Sequence, residues 1–372
     1  MPKIIISTIN DISTDNRVNK VALLLLDLGY EVLWVGRTLK NSPPLEREFK
    51  THRMKLWFTA GALFYAEFNI RLFFFLLFHK ADVLLSNDLD TLLANYLASR
   101  LKRKELVYDT HEYFLGVPEI QDNPLAKAVW TKIERWIFPK LKTVFTVNNS
   151  IADLYEKDYG MRPIVFRNIS PAVIPNKIKT REELGLPSNR KIVINQGTGM
   201  NIDRGLEEAL EAVLNIEDAV LVLVGTGEAI PQLKAEVERK RVQEKVIFID
   251  RVPYQELLQY TLNADVGISL DKDTNINYRF SLPNKLFDYI HCGIPIVCSN
   301  VVEVKTIVDD FKIGRSISNV ESDAIASALR EVLKNGKNLY QKKLFAASQV
   351  LNWENEKRPV ENVYKKIKQR VF

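Results

Sequence analysis

The chain has 372 residues, of which 46% are hydrophobic and 26% charged, and its formal net charge is +6. These values are ordinary for a globular protein and exclude a collagen-like, low-complexity or disulfide-stapled chain. The length predicts two domains or one large domain. The two cysteines, Cys292 and Cys298, predict buried thiols in a reducing compartment, because they are too few for a disulfide framework and lack partners for a zinc site.

The first half of the chain is predicted to alternate strands and helices. Residues 3–9 are an unbroken apolar run, which is typical of a strand buried on both faces. Residues 15–28 have apolar side chains at helical spacing, and residues 31–35 predict the next strand. This β-α-β start indicates a parallel, doubly wound sheet. The pattern continues with strands at 83–86, 105–108, 143–147 and 163–167 and helices at 89–100, 126–141 and 151–159.

Residues 56–78 form the most apolar segment of the sequence and include five phenylalanines among their last eleven residues. The segment is long enough to span a membrane, but Glu67, Asn69 and Arg71 lie at its centre, where charges are costly. We therefore predict a helix of the first domain. A contact of its aromatic side chains with lipid is an additional hypothesis.

A small basic cluster follows the predicted helix at 89–100. Basic side chains stabilise the carboxyl end of a helix, which is one interpretation of this cluster. The other is a contact with an anionic membrane surface. Its members are Arg100, Lys102, Arg103 and Lys104.

A proline-containing stretch at 170–189 divides this series from a second one and predicts a linker. The second series has predicted strands at 191–196, 220–224, 246–249, 266–270 and 294–298, and helices at 205–215, 229–243, 254–263, 284–291 and 322–334. Residues 353–372 predict a final charged amphipathic helix. The predicted domains are 1–168 and 191–352, with a linker at 169–190 and the final helix packing back on the first domain.

Two glycine-rich turns follow predicted strands of the second series. Glycine after a parallel strand lets backbone N–H groups approach a phosphate. The first turn contains Gly197, Thr198 and Gly199, and the second contains Gly225 and Gly227. Neither completes the G-x-G-x-x-G fingerprint, which disfavours a nicotinamide-dependent dehydrogenase. Tight turns without a ligand are the alternative interpretation.

The segment 281–299 has the sharpest pattern of the sequence. Lys285 is placed in the first turn of a predicted helix, and Asp288 lies three residues later on the same face. A phosphate near Lys285 and a sugar diol on Asp288 is one physical interpretation, because a carboxylate accepts two hydrogen bonds from a vicinal diol. An ion pair on a solvated helix is the alternative.

Residues 285–297 resemble the PNKLFEY…G.P.V signature of retaining family 4 (group 1) glycosyltransferases with the GT-B fold. The resemblance covers nearly the whole chain. Its other segments are TDNRVNKVALLLLDLGYEV at 14–32, ADVLLSNDLDTLLANYLASR at 81–100, VYDTHEYF at 107–114, TVNNSIADLYEKDYG at 146–160, RNIS at 167–170 and NADVGISL at 263–270.

The resemblance implies an α/β protein of GT-B architecture, with two Rossmann-like doubly wound parallel-sheet domains facing a cleft. It implies transfer of a sugar, with retention, from a nucleotide-diphosphate sugar bound by the second domain to a glycan or lipid-linked acceptor bound by the first. Synthesis of cell-surface polysaccharide is the implied pathway. No cofactor, metal or nucleic-acid partner is expected.

The resemblance also implies roles for individual residues. Arg204 matches the basic residue that contacts the donor pyrophosphate. Lys285 lies where the family's backbone and side chains contact the same phosphates. Asp288 matches the acid that binds the nucleotide ribose. Donor binding is thus assigned to Gly197, Thr198, Arg204, Gly225, Lys285 and Asp288.

On the acceptor side, His111 matches the first-domain histidine that reaches the transferred sugar. Its alternative is a structural histidine at the end of a strand. Glu112, its neighbour, and Arg17 are candidate acceptor-side contacts. His111, Arg204 and Lys285 are the predicted catalytic residues.

Two positions depart from the family pattern. The first acid of the family's Glu-x7-Glu pair falls on Phe280, which cannot act as a carboxylate. Residues 10–13 replace the usual Gly-Gly loop. The first departure puts the contact with the donor sugar in doubt, so a non-catalytic sugar-nucleotide-binding protein is one alternative. A sugar-nucleotide epimerase of the same fold is the other.

The predicted mechanism is stabilisation of a departing diphosphate by the cations Arg204 and Lys285. No side chain is identified as a nucleophile. The amino terminus shows no apolar secretion signal. We therefore expect a cytoplasmic protein with a peripheral contact at the inner face of the cell membrane.

Overall fold

The computed structural model describes residues 1–13, 15–171 and 173–371. Thr14 in the 14–32 motif, Ala172 in the predicted linker and Phe372 at the end of the last predicted helix lie outside these ranges. The chain divides into two compact units. Unit 1 comprises Met1–Asn168 and Glu356–Phe372, and unit 2 comprises Ile169–Asn355.

Unit 1 is built on a seven-stranded sheet in the order β3-β2-β1-β4-β5-β6-β7, and every described pairing is parallel. The central strand is apolar because it is covered on both faces, and Ile4, Ile5 and Ile6 are fully buried. The strands are β1 (Lys3–Asp11), β2 (Glu31–Arg37), β3 (Lys50–Met54), β4 (Val83–Asn87), β5 (Glu105–Thr110), β6 (Thr143–Thr146) and β7 (Ile164–Val165).

Six helices connect these strands, and short polar side chains begin several of them. Asp15 accepts a hydrogen bond from the backbone N–H of Val18, and Asn148 accepts one from Ile151, as residues that cap helices do. The helices are α1 (Asn16–Asp27), α2 (Gly61–Phe78), α3 (Leu89–Lys102), α4 (Pro118–Gln121), α5 (Pro124–Ile137) and α6 (Asn149–Tyr159), with single 3-10 turns at Phe114–Gly116 and Phe138–Lys140.

Helix α2 packs on unit 1 through one face and leaves the other exposed. Among the described residues it is the one helix long and apolar enough to cross a membrane. Its buried side chains include Phe64, Phe68, Leu72 and Leu76. Glu67 is also buried. Its carboxylate accepts hydrogen bonds from the backbone N–H groups of residues 57 and 58, which offset the cost of burying the charge. The predicted helix of the first domain is confirmed, although it starts at Gly61 rather than at residue 56.

The basic cluster lies at the carboxyl end of α3, as one interpretation of the sequence predicted. Lys102 donates to the backbone oxygen of Leu76 at 2.8 Å, and Lys104 pairs with Asp82 at 3.1 Å. Two of the four cations therefore have partners within unit 1.

Unit 2 contains a six-stranded sheet in the order β10-β9-β8-β11-β12-β13, again with parallel pairings throughout its described residues. Its strands are β8 (Lys191–Gly197), β9 (Ala219–Gly225), β10 (Val246–Ile249), β11 (Val266–Ser269), β12 (Ile296–Cys298) and β13 (Gly314–Ser316). Its helices are α7 (Leu206–Leu214), α8 (Ile230–Lys240), α9 (Tyr254–Asn263), α10 (Ile276–Arg279), α11 (Asn284–His291), α12 (Val302–Phe311) and α13 (Ser322–Val350).

Helix α13 extends beyond its predicted end at residue 334. Its backbone breaks at Gly336, where φ is 69° and ψ is 162°, and a second helical stretch follows. Tyr340, Leu344 and Ala347 continue the buried face. The glycine adopts the non-helical conformation without a side-chain penalty, so one sequence pattern yields two helical stretches.

The proline-containing segment belongs to unit 2. Arg181 donates to the backbone oxygen of Asn263 and pairs with Asp265 at 2.8 Å, and Leu184 and Leu186 are buried in the core. One 3-10 turn spans Glu182–Leu184, and another spans Gln243–Lys245. The last helix, α14 (Trp353–Val371), begins in unit 2 and continues in unit 1.

Candidate functional site

The carboxyl ends of β8 and β11 mark the edge of unit 2 where the donor residues are predicted. The strand order reverses here, because β9 and β10 lie on one side of β8 and β11 to β13 on the other. Ligands of open parallel sheets bind outside the carboxyl ends of the strands at such a reversal. Arg204, Lys285 and Asp288 all bond to residues of β8 or of the segment that follows β11. The structure thus brings these three residues to one edge.

Arg204 stands immediately before Gly205, which is the capping residue of α7. Its Nη1 donates to Asp271 Oδ2, and the Ser281 hydroxyl donates to the same oxygen at 2.6 Å. The guanidinium lies 4.1 Å from the ring centroid of Tyr278. Asp271 is 1% exposed. It is therefore the buried counter-ion that holds Arg204 at this edge.

Lys285 lies in the first turn of α11, as predicted, and its Nζ donates to Asn195 Oδ1 at 2.6 Å. Burial lowers the pKa of Lys285 to about 8; the Asp271 carboxylate opposes this shift and the Arg204 charge reinforces it. Two cations close to one buried carboxylate form a site that an anionic ligand can enter.

The Asp288 carboxylate is buried and held in place from two sides. Gln196 Nε2 donates to its Oδ2 at 2.8 Å, and the Tyr254 hydroxyl donates to its Oδ1 at 2.8 Å. The Thr261 hydroxyl in turn donates to Gln196 Oε1 at 2.6 Å. A carboxylate oxygen can accept two hydrogen bonds, so an ordered Asp288 can also accept from a diol.

Four buried polar atoms at this edge have no hydrogen-bond partner among the described residues: Asp271 Oδ1, Arg204 Nε, Asn195 Nδ2 and Ser269 Oγ. Buried polar groups are normally bonded, and leaving one unpaired costs about 1–3 kcal/mol. Their concentration at one strand edge indicates a place that fits a polar ligand.

Gly197 and Gly225 end two neighbouring strands, and their close approach explains the glycine at 225. A Cβ on Gly225 would lie 1.9 Å from the backbone oxygen of Gly197. The Thr226 N–H donates to that oxygen at 3.1 Å. Packing between the two turns is thus sufficient reason for Gly225, whereas the side chain of Thr198 is exposed in the first turn.

A second polar cluster lies at the carboxyl ends of β4 and β5 in unit 1. His111 Nδ1 lies 3.2 Å from Asp88 Oδ2, and its backbone N–H donates to Asp88 Oδ1 at 2.8 Å. His111 Nε2 is 3.6 Å from Asp109 Oδ2. Burial lowers the pKa of His111, but the charges of Asp88 and Asp109 outweigh it and raise the pKa to about 9. The imidazole is therefore held as a cation at neutral pH.

Arg17 holds the second of these carboxylates. Its Nη2 and Nε donate to the two oxygens of Asp109 at 2.8 and 3.3 Å, and its Nη1 donates to the backbone oxygen of Phe166. Burial opposes ionisation of Asp109, but the positive charges of Arg17 and His111 hold its pKa well below the usual range. Arg17 is 5% exposed, so its guanidinium is buried against Asp109, the carboxylate that also faces His111.

The remaining acceptor-side candidate, Glu112, is exposed next to His111. Its backbone oxygen accepts a hydrogen bond from the Thr110 hydroxyl at 2.6 Å, which fixes the turn after β5. Asp90 lies nearby in the first turn of α3, and burial together with the Asp88 charge raises its pKa well above the usual value.

The sequence reasoning missed Asp88, Asn195, Tyr254 and Asp271, which orient the predicted residues. Asp88 and Asp271 each follow a buried strand directly or within two residues, and that position was an available signal. Phe280, the residue in place of the family's first acid, follows α10 and is partly buried. Among the described residues no group of three histidine, cysteine or acidic side chains could hold a metal ion.

Two family models match consecutive parts of the chain. Residues 16–180 match the model described as Glycosyltransferase Family 4, and residues 176–344 match the model described as Glycosyl transferases group 1. No curated protein matches the sequence significantly.

Solved structures are similar over nearly the full length. A sucrose-phosphate synthase from Thermosynechococcus elongatus is 16% identical, with a TM-score of 0.80 and all of both chains covered. Anabaena HepE in complex with UDP-glucose is 16% identical, with a TM-score of 0.73 and 98% and 99% of the two chains covered. WaaG, a glycosyltransferase involved in lipopolysaccharide biosynthesis, is 14% identical, with a TM-score of 0.68 and 96% and 98% covered. These similarities confirm the predicted GT-B fold class.

Proposed function

The chain belongs to the group 1 glycosyltransferases, and from this we propose that it transfers a sugar from a nucleotide-diphosphate sugar to a glycan or lipid-linked acceptor. The observation that carries the proposal is the pair of cations, Arg204 and Lys285, at the strand-order reversal of unit 2. The nucleotide sugar in the HepE structure supports the choice of donor class.

In the proposed reaction, the bond between the anomeric carbon and the β-phosphate oxygen breaks, and its electron pair goes to the phosphate. The acceptor hydroxyl oxygen bonds to the anomeric carbon, and its proton passes to the departing phosphate oxygen. Arg204 and Lys285 stabilise the charge that develops on the diphosphate, and fixed charges of this kind are effective in a buried site. Asp288 accepts hydrogen bonds from the ribose hydroxyls, held by Gln196 and Tyr254.

Retention of configuration, metal-independent transfer and a role in cell-surface polysaccharide synthesis complete the proposal. The family match supports retention, and the cation pair supports transfer without a metal. The structural similarity to WaaG supports the role in cell-surface polysaccharide synthesis. Product NMR spectroscopy distinguishes retention from inversion through the anomeric coupling constant.

We expect Arg204→Ala and Lys285→Ala each to reduce transfer by about 100-fold or more, because each removes a charge from the leaving-group site. Release of nucleoside diphosphate from a panel of nucleotide sugars, with and without saccharide acceptors, measures the effect. Arg239→Ala and Lys240→Ala are matched controls, because both cations pair with acids on the surface of unit 2. Wild-type turnover in both site variants would disprove the phosphate site, and donor isomerisation without acceptor would indicate an epimerase.

We also propose that unit 1 contacts an anionic membrane through the outer face of α2. Ile70, Phe74 and Phe78 are exposed on this face, and Trp57, which precedes the helix, is 83% exposed. Exposed aromatic side chains with nearby cations are typical of interfacial segments. The cations here are Lys55, Arg71 and Lys80.

We expect the protein to bind vesicles that contain phosphatidylglycerol and to lose this binding on double substitution of Phe74→Ser and Phe78→Ser. Sedimentation with vesicles at low and high salt measures it, because screening weakens the contribution of the cations. Leu125→Ser is the matched control, since Leu125 is an exposed apolar residue on α5. Equal sedimentation of the double variant and the wild type would contradict the proposal.

A further inference from the structure

Asp88 has an unusual backbone conformation at the strand-order reversal of unit 1. It lies between β4 and α3, with φ at 58° and ψ at 166°. This region of conformational space is almost restricted to glycine, and another residue there costs about 1–3 kcal/mol. Such strain persists where the surrounding structure imposes it, and it concentrates at functional sites.

The backbone N–H and the carboxylate of Asp88 bond to the end of β5 and to the residue that follows it. Its backbone N–H donates to the backbone oxygen of Asp109 at 2.9 Å. Its carboxylate receives the backbone N–H of His111 at 2.8 Å on one oxygen and faces the imidazole Nδ1 at 3.2 Å with the other. A glycine at position 88 would relieve the strain and lose both carboxylate contacts. The strained backbone therefore aims a carboxylate at residue 111.

The other imidazole nitrogen remains available. Asp109 is bonded on both oxygens by Arg17. It lies 3.6 Å from His111 Nε2, beyond hydrogen-bond distance, and this buried nitrogen has no hydrogen-bond partner among the described residues. Asp88 thus occupies Nδ1 and leaves Nε2–H free to donate to a ligand.

We propose that Asp88 is a positioning residue, which holds His111 as an imidazolium whose Nε2–H is presented to the substrate at the carboxyl ends of β4 and β5. This inference rests on the proposed transfer reaction. In it, the strained backbone of Asp88 serves to orient His111 for that reaction. The charged groups around the imidazole are Asp88 and Asp109, which favour its cation, and Arg17, which opposes it. Burial and the Asp88 charge raise the pKa values of Asp90 and Glu112, and the His111 charge partly opposes this rise.

Two substitutions separate the carboxylate from the strain. Asp88→Gly removes both, so we expect it to raise the melting temperature or leave it unchanged while kcat falls at least about tenfold. Asp88→Asn keeps a side chain that accepts the His111 N–H but removes the charge, so we expect a similar fall in kcat. The donor KM should change much less than kcat in both variants, because the residues assigned to the diphosphate and the ribose lie in unit 2.

The pH dependence of kcat distinguishes an effect through His111 from a purely structural role of Asp88. In the wild-type protein we expect kcat to fall as pH rises through about 9, since the imidazolium then loses its proton. In Asp88→Asn the fall should begin at lower pH, and NMR titration of the His111 ring should show a lower pKa. Arg103→Gly is a control that replaces another residue of positive φ without removing a carboxylate, because Arg103 has a φ of 53° at the end of α3.

A double-mutant cycle completes the test. If Asp88 acts through His111, Asp88→Asn should cause no further loss of kcat in a His111→Gln background. Wild-type kcat in Asp88→Gly, an unchanged His111 pKa in Asp88→Asn, or additive losses in the cycle would each overturn the proposal. The NMR titration needs no turnover, so it remains decisive even if the proposed transfer reaction is wrong.

Discussion

Single residues at the carboxyl edge of the unit 2 sheet owe their properties to their surroundings. Lys285 is predicted by its spacing to Asp288, but its lowered pKa comes from burial and from the Arg204 charge. A lysine with a pKa of about 8 is partly neutral in slightly alkaline solution. Binding of an anion favours the charged form.

Under the proposed function, this linkage makes binding of the donor pH-dependent. We expect nucleoside diphosphate affinity to fall as pH rises through about 8, because the neutral form of Lys285 must take up a proton to pair with the phosphates. Calorimetry at pH 8 in two buffers of different ionisation enthalpy measures the proton uptake. Lys285→Arg is the comparison, since its guanidinium stays protonated. Equal heats in both buffers for the wild-type protein would contradict this expectation.

At the scale of elements, the apolar runs and helical spacings identified the central strands and most helices. The edge strands β3 and β13 were missed, because they are short, partly exposed and without an apolar run. Helix α12 was missed as well, although its Val304, Ile307 and Val308 are buried at helical spacing. Edge elements bury one face at most, so their sequences differ less from those of loops.

The glycine turns after β8 and β9 provide a prediction at this scale. Gly225→Ala should lower the melting temperature of unit 2 strongly, because its Cβ would meet the backbone of Gly197. Gly199→Ala meets no atom within 4 Å, so it should leave stability unchanged. If the first turn approaches the donor phosphates, Gly199→Ala raises the donor KM. Thermal unfolding and steady-state kinetics separate the effects, and an unchanged KM would limit the turn to packing.

At the scale of the whole molecule, the chain leaves unit 1 after Asn168 and re-enters it at Glu356. The re-entering helix, α14, packs into the unit 1 core. The Tyr30 hydroxyl donates to the backbone oxygen of Tyr364 at 2.7 Å, and Lys368 donates to that of Leu28 at 2.7 Å. Val360, Tyr364 and Ile367 are almost fully buried. Unit 1 is therefore complete only when both chain segments are present.

We expect Tyr364→Ala to destabilise unit 1 by about 3–5 kcal/mol, as removal of a buried aromatic ring generally does. Tyr364→Phe should be nearly neutral, because the Tyr364 hydroxyl has no hydrogen-bond partner among the described residues. Calorimetric unfolding of both variants measures the difference. A similar loss in the two variants would show that the hydroxyl, rather than the ring, stabilises the unit.

The sequence alone determined the two doubly wound sheets and placed Arg204, Lys285, Asp288 and His111. The apolar periodicity identified the buried faces of strands and helices, and the family motifs identified the four site residues. Only the tertiary structure revealed Asp271 and Asp88, because each acts on a residue more than twenty positions away in the chain. The backbone strain of Asp88 and the unpaired Nε2 of His111 depend on strands that become neighbours through folding. Pairing across a sheet is a long-range property, which no local pattern specifies.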